Sequence, residues 1–395
     1  MIKIAFINAI LEGGGIEKLL GDIVNRLDKN IFDITVFTTR QGINPNKIFK
    51  DHIKYDYLYK NITEIGGIKK YTNKLFNQKF KIFNSNNEFI KKINKGRFDI
   101  AVSMKEGLIS VLVSKTNAKI KIAWVLTDVN SGDSMNNYIK KSYNELVNAY
   151  SLMKKIIICT NTAKHSFEEV FGILTEYIVI PNLVPETEVI FRSNEKVSNI
   201  AKPKDKLLFI CVGRLSHEKG QELLIRSCKL LNDMDYKNKY ELWLVGNGKD
   251  RNMLEQYVER YMLSNIKFIG YQDNPYKYMK LADVLVLPSK TEGFGLVITE
   301  AMFLGIPIIA TNSAGPSEIL DNGRYGILTD IDSKAIAEGM KTFLDDNSKL
   351  NKYKNLSIER SKKYSEENIL SKINAVLIGE NSEKALYNEN TRNLG

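Results

Sequence analysis

Short apolar runs rich in Ile, Val, Phe and Ala recur along the chain, separated by stretches in which apolar residues return every three or four positions. The first pattern predicts strands buried on both faces and the second predicts amphipathic helices. Their alternation from end to end predicts parallel α/β units. In the first half the strand candidates are IKIAFIN, FDITVFTT, FDIAVSM, KIAWVLT, KIIICT and EYIVIPN. Near Pro181 and Pro185 the pattern breaks, and residues 186–206 are polar, charged and poorly periodic, as a linker is. The series restarts with KLLFICVGRL, YELWLVGN, IKFIGY, ADVLVLPS and IPIIATN, interleaved with helical segments such as QELLIRSCKLL and GLVITEAMFLG. The expected fold class is α/β, with two Rossmann-like doubly wound domains facing each other across a cleft. The expected boundaries are an N-terminal domain over 1–185, a linker over 186–206 and a C-terminal domain over 207–365. Residues 366–395 are expected to add a helix that packs back on the first domain, followed by a frayed polar tail after Gly379.

Composition narrows the class. In 395 residues, 43% hydrophobic and 26% charged is ordinary for a globular protein, which excludes disordered, collagenous and all-membrane chains. No apolar stretch reaches about 18 residues, and the run Met1 to Leu11 ends in Glu-Gly-Gly-Gly without a signal-cleavage pattern. Cys159, Cys211 and Cys228 are odd in number and lie in or beside apolar runs, so they read as packed thiols in a reducing compartment. The expected location is cytoplasmic. A net charge of +11 predicts an anionic partner, which composition alone does not identify.

The first strand runs into Gly13-Gly14-Gly15 and then a helix pattern. Glycines there let backbone approach a ligand, and a helix N-terminus favours an anion, so the loop reads as a phosphate site or as a bare tight turn. It is not the nicotinamide fingerprint: the third glycine position holds Lys18, and the second strand ends in Thr38-Thr39-Arg40 rather than in an acidic residue. The second series opens with a strand ending in Gly213-Arg214-Leu215-Ser216-His217-Glu218-Lys219-Gly220. Arg214 and Lys219 on a loop at the carboxyl end of a strand suit a diphosphate. After ADVLVLPS, the amides of Gly293, Phe294, Gly295 and Leu296 precede a helix and are placed to donate to phosphate or sugar oxygens. Glu292 and Glu300 straddle that helix start, Glu292 placed to accept from substrate hydroxyls and Glu300 from a ribose diol. The alternative is an ordinary pair of charges on a helix face.

Together, Gly-Arg-Leu with Lys219-Gly220, Glu292-Gly-Phe-Gly, Glu300-Ala-Met, Gly305-Ile-Pro307 and Ala314-Gly315-Pro316-Ser317-Glu318 resemble the large retaining glycosyltransferase family with the two-domain GT-B fold, often called family 4 or group 1. The resemblance covers almost the whole chain. It implies that Glu292 contacts the donor sugar, Glu300 the nucleotide ribose, Arg214 and Lys219 the diphosphate, and the Gly270-Tyr271-Gln272 loop the base. It also implies a retaining mechanism by front-face attack, with the acceptor proton passing to the leaving phosphate. One departure stands out. A histidine common in related sequences after the strand matching KIAWVLT is here Leu126, followed by Thr127 and Asp128, so Asp128 or a substrate hydroxyl must supply what the histidine supplied.

The expected activity is transfer of a hexose or N-acetylhexosamine from a nucleotide sugar to a glycan or lipid-linked acceptor in cell-surface polysaccharide or glycoconjugate biosynthesis. UDP leads as donor nucleotide by analogy, with GDP and ADP open. No cofactor or metal is expected. The strings Asp233-Met234-Asp235 and Asp330-Ile331-Asp332 read as surface loops, and His52, His165 and His217 lack the spacing of a zinc site. Residues 66–97 hold nine Lys/Arg and one Glu, with Phe76, Phe80 and Phe83 at helical spacing. That stretch reads as a basic amphipathic segment for peripheral contact with an anionic membrane, or as a core helix with solvated lysines. Nucleic acid is not expected as a partner, since no known module accompanies the charge. A sugar-nucleotide 2-epimerase and a non-catalytic GT-B partner are the rival functions.

Overall fold

The computed structural model describes residues 1–11, 14–42, 44–59, 88–129, 133–198 and 200–379. The described chain forms two compact units. Met1–Cys159, Lys164–Leu183 and the chain from Leu370 make the first; Thr160–Ala163 and Val184–Ile369 make the second.

In the first unit β1 (Ile2–Ile10), α1 (Gly15–Val24), β2 (Phe32–Arg40), β3 (Lys54–Tyr59), α2 (Glu88–Lys95), β4 (Ile100–Ser103) and α3 (Leu108–Ser114) follow in order. They are succeeded by β5 (Ile120–Val125), α4 (Asp133–Ser151), β6 (Lys155–Ile158), α5 (Asn161–Phe171) and β7 (Glu176–Val179). Among the described residues the strands form one parallel sheet of order β3-β2-β1-β4-β5-β6-β7. Ile4 to Ile7 in β1 and all of β4 are buried, because crossover helices cover both faces of a parallel sheet.

In the second unit α6 (Glu186–Ser193), β8 (Leu207–Val212), α7 (Gln221–Asp233), β9 (Tyr240–Val245), α8 (Arg251–Arg260), β10 (Ile266–Gly270) and α9 (Tyr276–Leu281) come first. Then follow β11 (Val284–Leu287), α10 (Leu296–Phe303), β12 (Ile308–Thr311), α11 (Ala314–Ile319), β13 (Ile327–Thr329), α12 (Ser333–Asp345) and α13 (Ser348–Ser361), and α14 (Glu366–Ile378) starts here and continues from Leu370 as part of the first unit. This sheet is also parallel, in the order β10-β9-β8-β11-β12-β13. Phe209, Leu224, Leu242, Val286, Met340 and Phe343 anchor the core on one of its faces. In both sheets the strand order reverses beside the first strand, between β1 and β4 and between β8 and β11. Open parallel sheets bind ligands outside the carboxyl ends of the strands at that reversal.

The expected strands are present, but residues 186–206 are not simply a linker. Glu186–Ser193 form α6, which packs against α9 and α10. Its polar residues misled the sequence reading: Glu186 and Glu188 in the first turn and Arg192 in the last suit the helix dipole, and Val189 is buried. The residues from Leu370 return to the first unit, where Lys372, Ala375 and Val376 line one pocket with Lys155 and Ile178. All three cysteines are buried thiols outside any disulfide, and burial pushes those of Cys211 and Cys228 up to about 12. Among the described residues no helix is long and apolar enough to cross a membrane.

Most of the basic stretch 66–97, with Phe76, Phe80 and Phe83, lies outside the described residues, as does the tail after Gly379. The part of the basic stretch that is described is built into the first unit: Phe89 and Ile93 of α2 are buried, and Lys92 pairs with Asp56 at 2.6 Å. The Asp-x-Asp strings have local structural work. Asp332 caps α12 by accepting from the Lys334 and Ala335 amides at 2.8 and 3.0 Å, and Asp233 pairs with Lys229 at 2.6 Å.

Candidate functional site

In the second unit the loops after β8, β9 and β11 are drawn together by glycine. Gly220 starts α7 at φ +68°, and a Cβ there would lie 1.9 Å from the Pro288 carbonyl oxygen. The Lys290 amide donates to the Glu218 carbonyl at 2.8 Å, joining the same two loops. Gly246 lies as close to the Gly213 carbonyl, and the Leu215 amide donates to the Asn247 carbonyl at 3.1 Å. Only residues without a Cβ permit such approach.

This packing brings Lys219 and Glu292, 73 positions apart, into contact. The Lys219 ammonium donates to Glu292 Oε2 at 2.6 Å, and Ser289 Oγ lies 3.2 Å from the same oxygen. Both side chains remain partly accessible, at 29% and 14%. An ammonium has three donors and a carboxylate several lone pairs, so the pair fixes both groups while leaving capacity for a ligand. Arg214 is exposed on the same loop, its carbonyl accepting from Gln221 Nε2 at 3.0 Å.

Beyond Glu292 the backbone turns through Gly293 and buried Phe294 to Gly295, which caps α10 at φ +96° without a side-chain cap. That leaves the first-turn amides, beginning at Leu296, without a side-chain acceptor at the cap. The turn is clamped from the other side: the Gly315 amide donates to the Glu292 carbonyl at 3.0 Å, and a Cβ on Gly315 would lie 2.2 Å from the Phe294 carbonyl oxygen. Glu300, one turn into α10, is 7% exposed and accepts from the Tyr276 hydroxyl at 3.1 Å. Tyr271, after β10, is 68% exposed, an open aromatic face. Its phenol is held above its ordinary value by desolvation and by the Asp273 carboxylate beside it.

The first unit is built differently at the same end of its sheet. Gly13 lies outside the described residues. Gly14 caps α1 at φ −84°, followed by Gly15, and the first-turn Glu17 folds back so that its Oε2 would lie 2.7 Å from a Cβ on Gly14. An acidic residue in the first turn suits the dipole of this helix. After β5, Leu126 is 6% exposed, so the side chain at the position of the family histidine is interior. Asp128 is partly exposed. The carboxylate that organises this loop is one the sequence reading missed. Glu106, 6% exposed after β4, accepts from the Leu126 amide at 3.1 Å and from Thr127 Oγ1 at 2.9 Å. Its one sequence signal was an acidic residue before Gly107 at the carboxyl end of a strand.

Two parallel Rossmann-like α/β domains define the GT-B class of glycosyltransferases, and solved members share the fold. HepE of Anabaena, crystallised with UDP, matches with a TM-score of 0.73 at 20% identity over 95% of this chain and 99% of its own. WaaG, a glycosyltransferase involved in lipopolysaccharide biosynthesis, matches with a TM-score of 0.72 at 15% identity over 95% and 100%. Residues 193–362, within the second unit, match the family model of glycosyl transferases group 1, and the chain as a whole is similar to glycosyltransferases. Its relatives include an uncharacterised glycosyltransferase of Methanocaldococcus jannaschii, 28% identical over 77% of this chain and 87% of the relative. The capsular polysaccharide biosynthesis glycosyltransferase CapH of Staphylococcus aureus is 26% identical over 81% and 84%. An N-acetylgalactosaminyltransferase of Campylobacter jejuni, whose name specifies a diphospho-undecaprenol acceptor, is 26% identical over 58% of this chain and 62% of its own.

Proposed function

We propose that the protein transfers a hexose or N-acetylhexosamine, with retention, from a nucleoside diphosphate sugar to a hydroxyl of a glycan or lipid-linked acceptor in cell-surface polysaccharide biosynthesis. The observation that carries this reading is the Lys219–Glu292 pair set beside the glycine turn into α10. It joins a cation for diphosphate, a carboxylate for sugar hydroxyls and backbone amides on two packed loops of one unit. UDP is the favoured nucleotide because HepE is solved with it, and the polysaccharide setting follows the names of CapH and WaaG.

In this reaction the bond between the anomeric carbon and the acceptor oxygen forms as the bond to the diphosphate oxygen breaks, and the acceptor proton passes to the departing diphosphate. Charge grows on the leaving group, so Arg214, Lys219 and the amides from Gly293 to Leu296 stabilise the transition state more than the ground state. Glu292 holds the sugar and Glu300 the ribose. Asp128 and the loop braced by Glu106 belong to the acceptor side, and no step requires a metal. The lysine-rich stretch 66–97 places the enzyme at an anionic membrane, where a lipid-linked acceptor resides. Equal vesicle co-sedimentation with neutral and anionic lipid would remove that last element. No observation favours the epimerase or the non-catalytic reading.

Thermal unfolding with UDP-, GDP- and ADP-sugars tests the donor. The true donor at a hundredfold excess over its dissociation constant stabilises by about 2.7 kcal/mol. Arg214→Ala or Lys219→Ala then lowers transfer by several tens-fold, since a lost charge-assisted contact costs about 1.5–3 kcal/mol. Absence of stabilisation by every donor, or near-normal turnover in both variants, would refute the proposal.

A further inference from the structure

The nucleotide side of the second unit rests on a bracket that lies outside every motif. Tyr276, the first residue of α9, is 1% exposed and donates its hydroxyl to Glu300 Oε1. The Arg192 guanidinium of α6 lies over the same ring, 5.7 Å from its centroid, a cation–π distance. Arg192 is itself fixed: it donates to Glu188 Oε1 at 3.2 Å and to the Asp273 carbonyl at 2.7 Å. Asn274, buried, closes the bracket. Its Nδ2 donates to the Arg192 carbonyl at 2.8 Å, and its Oδ1 accepts the Tyr276 amide at 3.1 Å. The loop that carries Tyr271 and the helix that carries Glu300 are therefore tied through Arg192, Asn274 and Tyr276.

A buried carboxylate has two oxygens and about four acceptor positions. Anchoring one oxygen to a phenol fixes the plane of the group and leaves the remaining lone pairs in a defined direction, which recognition of a vicinal diol requires. Resting on the assignment of Glu300 to the donor ribose, we infer that Tyr276, steered by Arg192, is a positioning residue that aims Glu300 at the ribose diol and makes the enzyme select ribonucleotides over deoxyribonucleotides.

Calorimetric titration of the full chain tests this, using UDP, GDP and ADP and then the 2′,3′-dideoxy form of whichever binds tightest. The wild-type chain is expected to prefer the ribose form by about tenfold or more, the worth of hydrogen bonds to a charged group. Tyr276→Phe is expected to cut that preference to about two- to threefold, leaving affinity for the dideoxy form unchanged. A purely structural tyrosine would weaken both ligands alike, and an unchanged ratio in Tyr276→Phe overturns the inference while the donor assignment stands. A wild-type chain without preference overturns the ribose role of Glu300 and the inference with it. Failure of all three diphosphates to bind overturns the donor reading as a whole. If Tyr276→Phe does not fold, Arg192→Gln at a partly exposed position serves instead. It is expected to narrow the ratio about twofold, and an unaltered ratio again overturns the inference.

Discussion

The two units repeat one another closely at the amino ends of their strands and diverge at the carboxyl ends. In the first, Asp99 precedes β4, accepts the Lys3 amide at 3.0 Å and returns its own amide to the Lys3 carbonyl at 2.9 Å. In the second, Asp283 precedes β11 and does the same with Leu208, at 2.8 Å in both directions. Each carboxylate also holds a lysine: Lys119 on Asp99 at 3.0 Å and Lys202 on Asp283 at 2.7 Å. The clamp fastens the first strand of each sheet to its neighbour at the point where strand order reverses. Across the sheet the likeness ends. The second unit packs its loops through glycines around Lys219 and Glu292, whereas the first, which also packs Gly42 against the Leu11 carbonyl, braces the loop after β5 with a buried carboxylate, Glu106. One end of each sheet is scaffold, and the other is where the two units have been given different chemistry.

The largest expected effect separates the glycines at the starts of α7 and α11 from the one at the start of α1. At Gly220 a side chain meets both a left-handed backbone and a carbonyl oxygen 1.9 Å away, and at Gly315 it meets the Phe294 backbone. Backbone cannot yield as a side chain can, so Gly220→Ala and Gly315→Ala should each cost about 3 kcal/mol or more in urea unfolding. Gly14→Ala has an ordinary φ, and among the described residues its methyl meets only the flexible end of Glu17, so it should change stability by less than about 1 kcal/mol. Equal costs at Gly14 and Gly315 would erase the contrast between these helix starts.

That contrast also explains what could be read in advance. Strands such as IKIAFIN and YELWLV carry their burial in composition, so the fold was legible, except for β3. KYDYLY at a sheet edge alternates tyrosine with polar residues and lacks the apolar run of a central strand. The second-unit site was legible because its glycines and charges lie in short continuous motifs. Glu106 and Tyr276 were not: each acts on a residue 20 or 24 positions away, across a loop or between helices, and only the folded backbone brings them together. The helix α6 was hidden because its role is carried by Arg192, a charged residue in a polar stretch.

A smaller effect should follow from removing Glu106. Glu106→Ala leaves the Leu126 amide and the Thr127 hydroxyl without their acceptor in a buried setting, at a cost of about 2 kcal/mol. Thr127→Val alone should cost less, and the double variant should fall short of the sum by roughly 1 kcal/mol if the two are partners. Strict additivity in chemical denaturation would mean that Glu106 does not organise the loop, and Asp128 would then have no structural support in common with it.

The smallest expected effect tests the shared clamp. Asp283 is the less exposed of the pair, its side chain 23% accessible against 37% for Asp99. Replacement by Asn should therefore cost more at Asp283, about 1–2 kcal/mol, than at Asp99, where solvent screening keeps the loss below about 1 kcal/mol. The Asp99 carboxyl is held below its ordinary value of 3.8, first by the Lys3 amide and then by the hydrogen bond from Lys119. A folded-state value below the unfolded one means that this stabilisation is fully present above about pH 4 and is lost as pH falls through the folded value. The stability difference between wild type and Asp99→Asn should thus be constant at neutral pH and shrink in acid. A gap that widens in acid would mean that Asp99 does not hold the strand as a carboxylate, and the parallel between the two sheets would then rest on strand order alone.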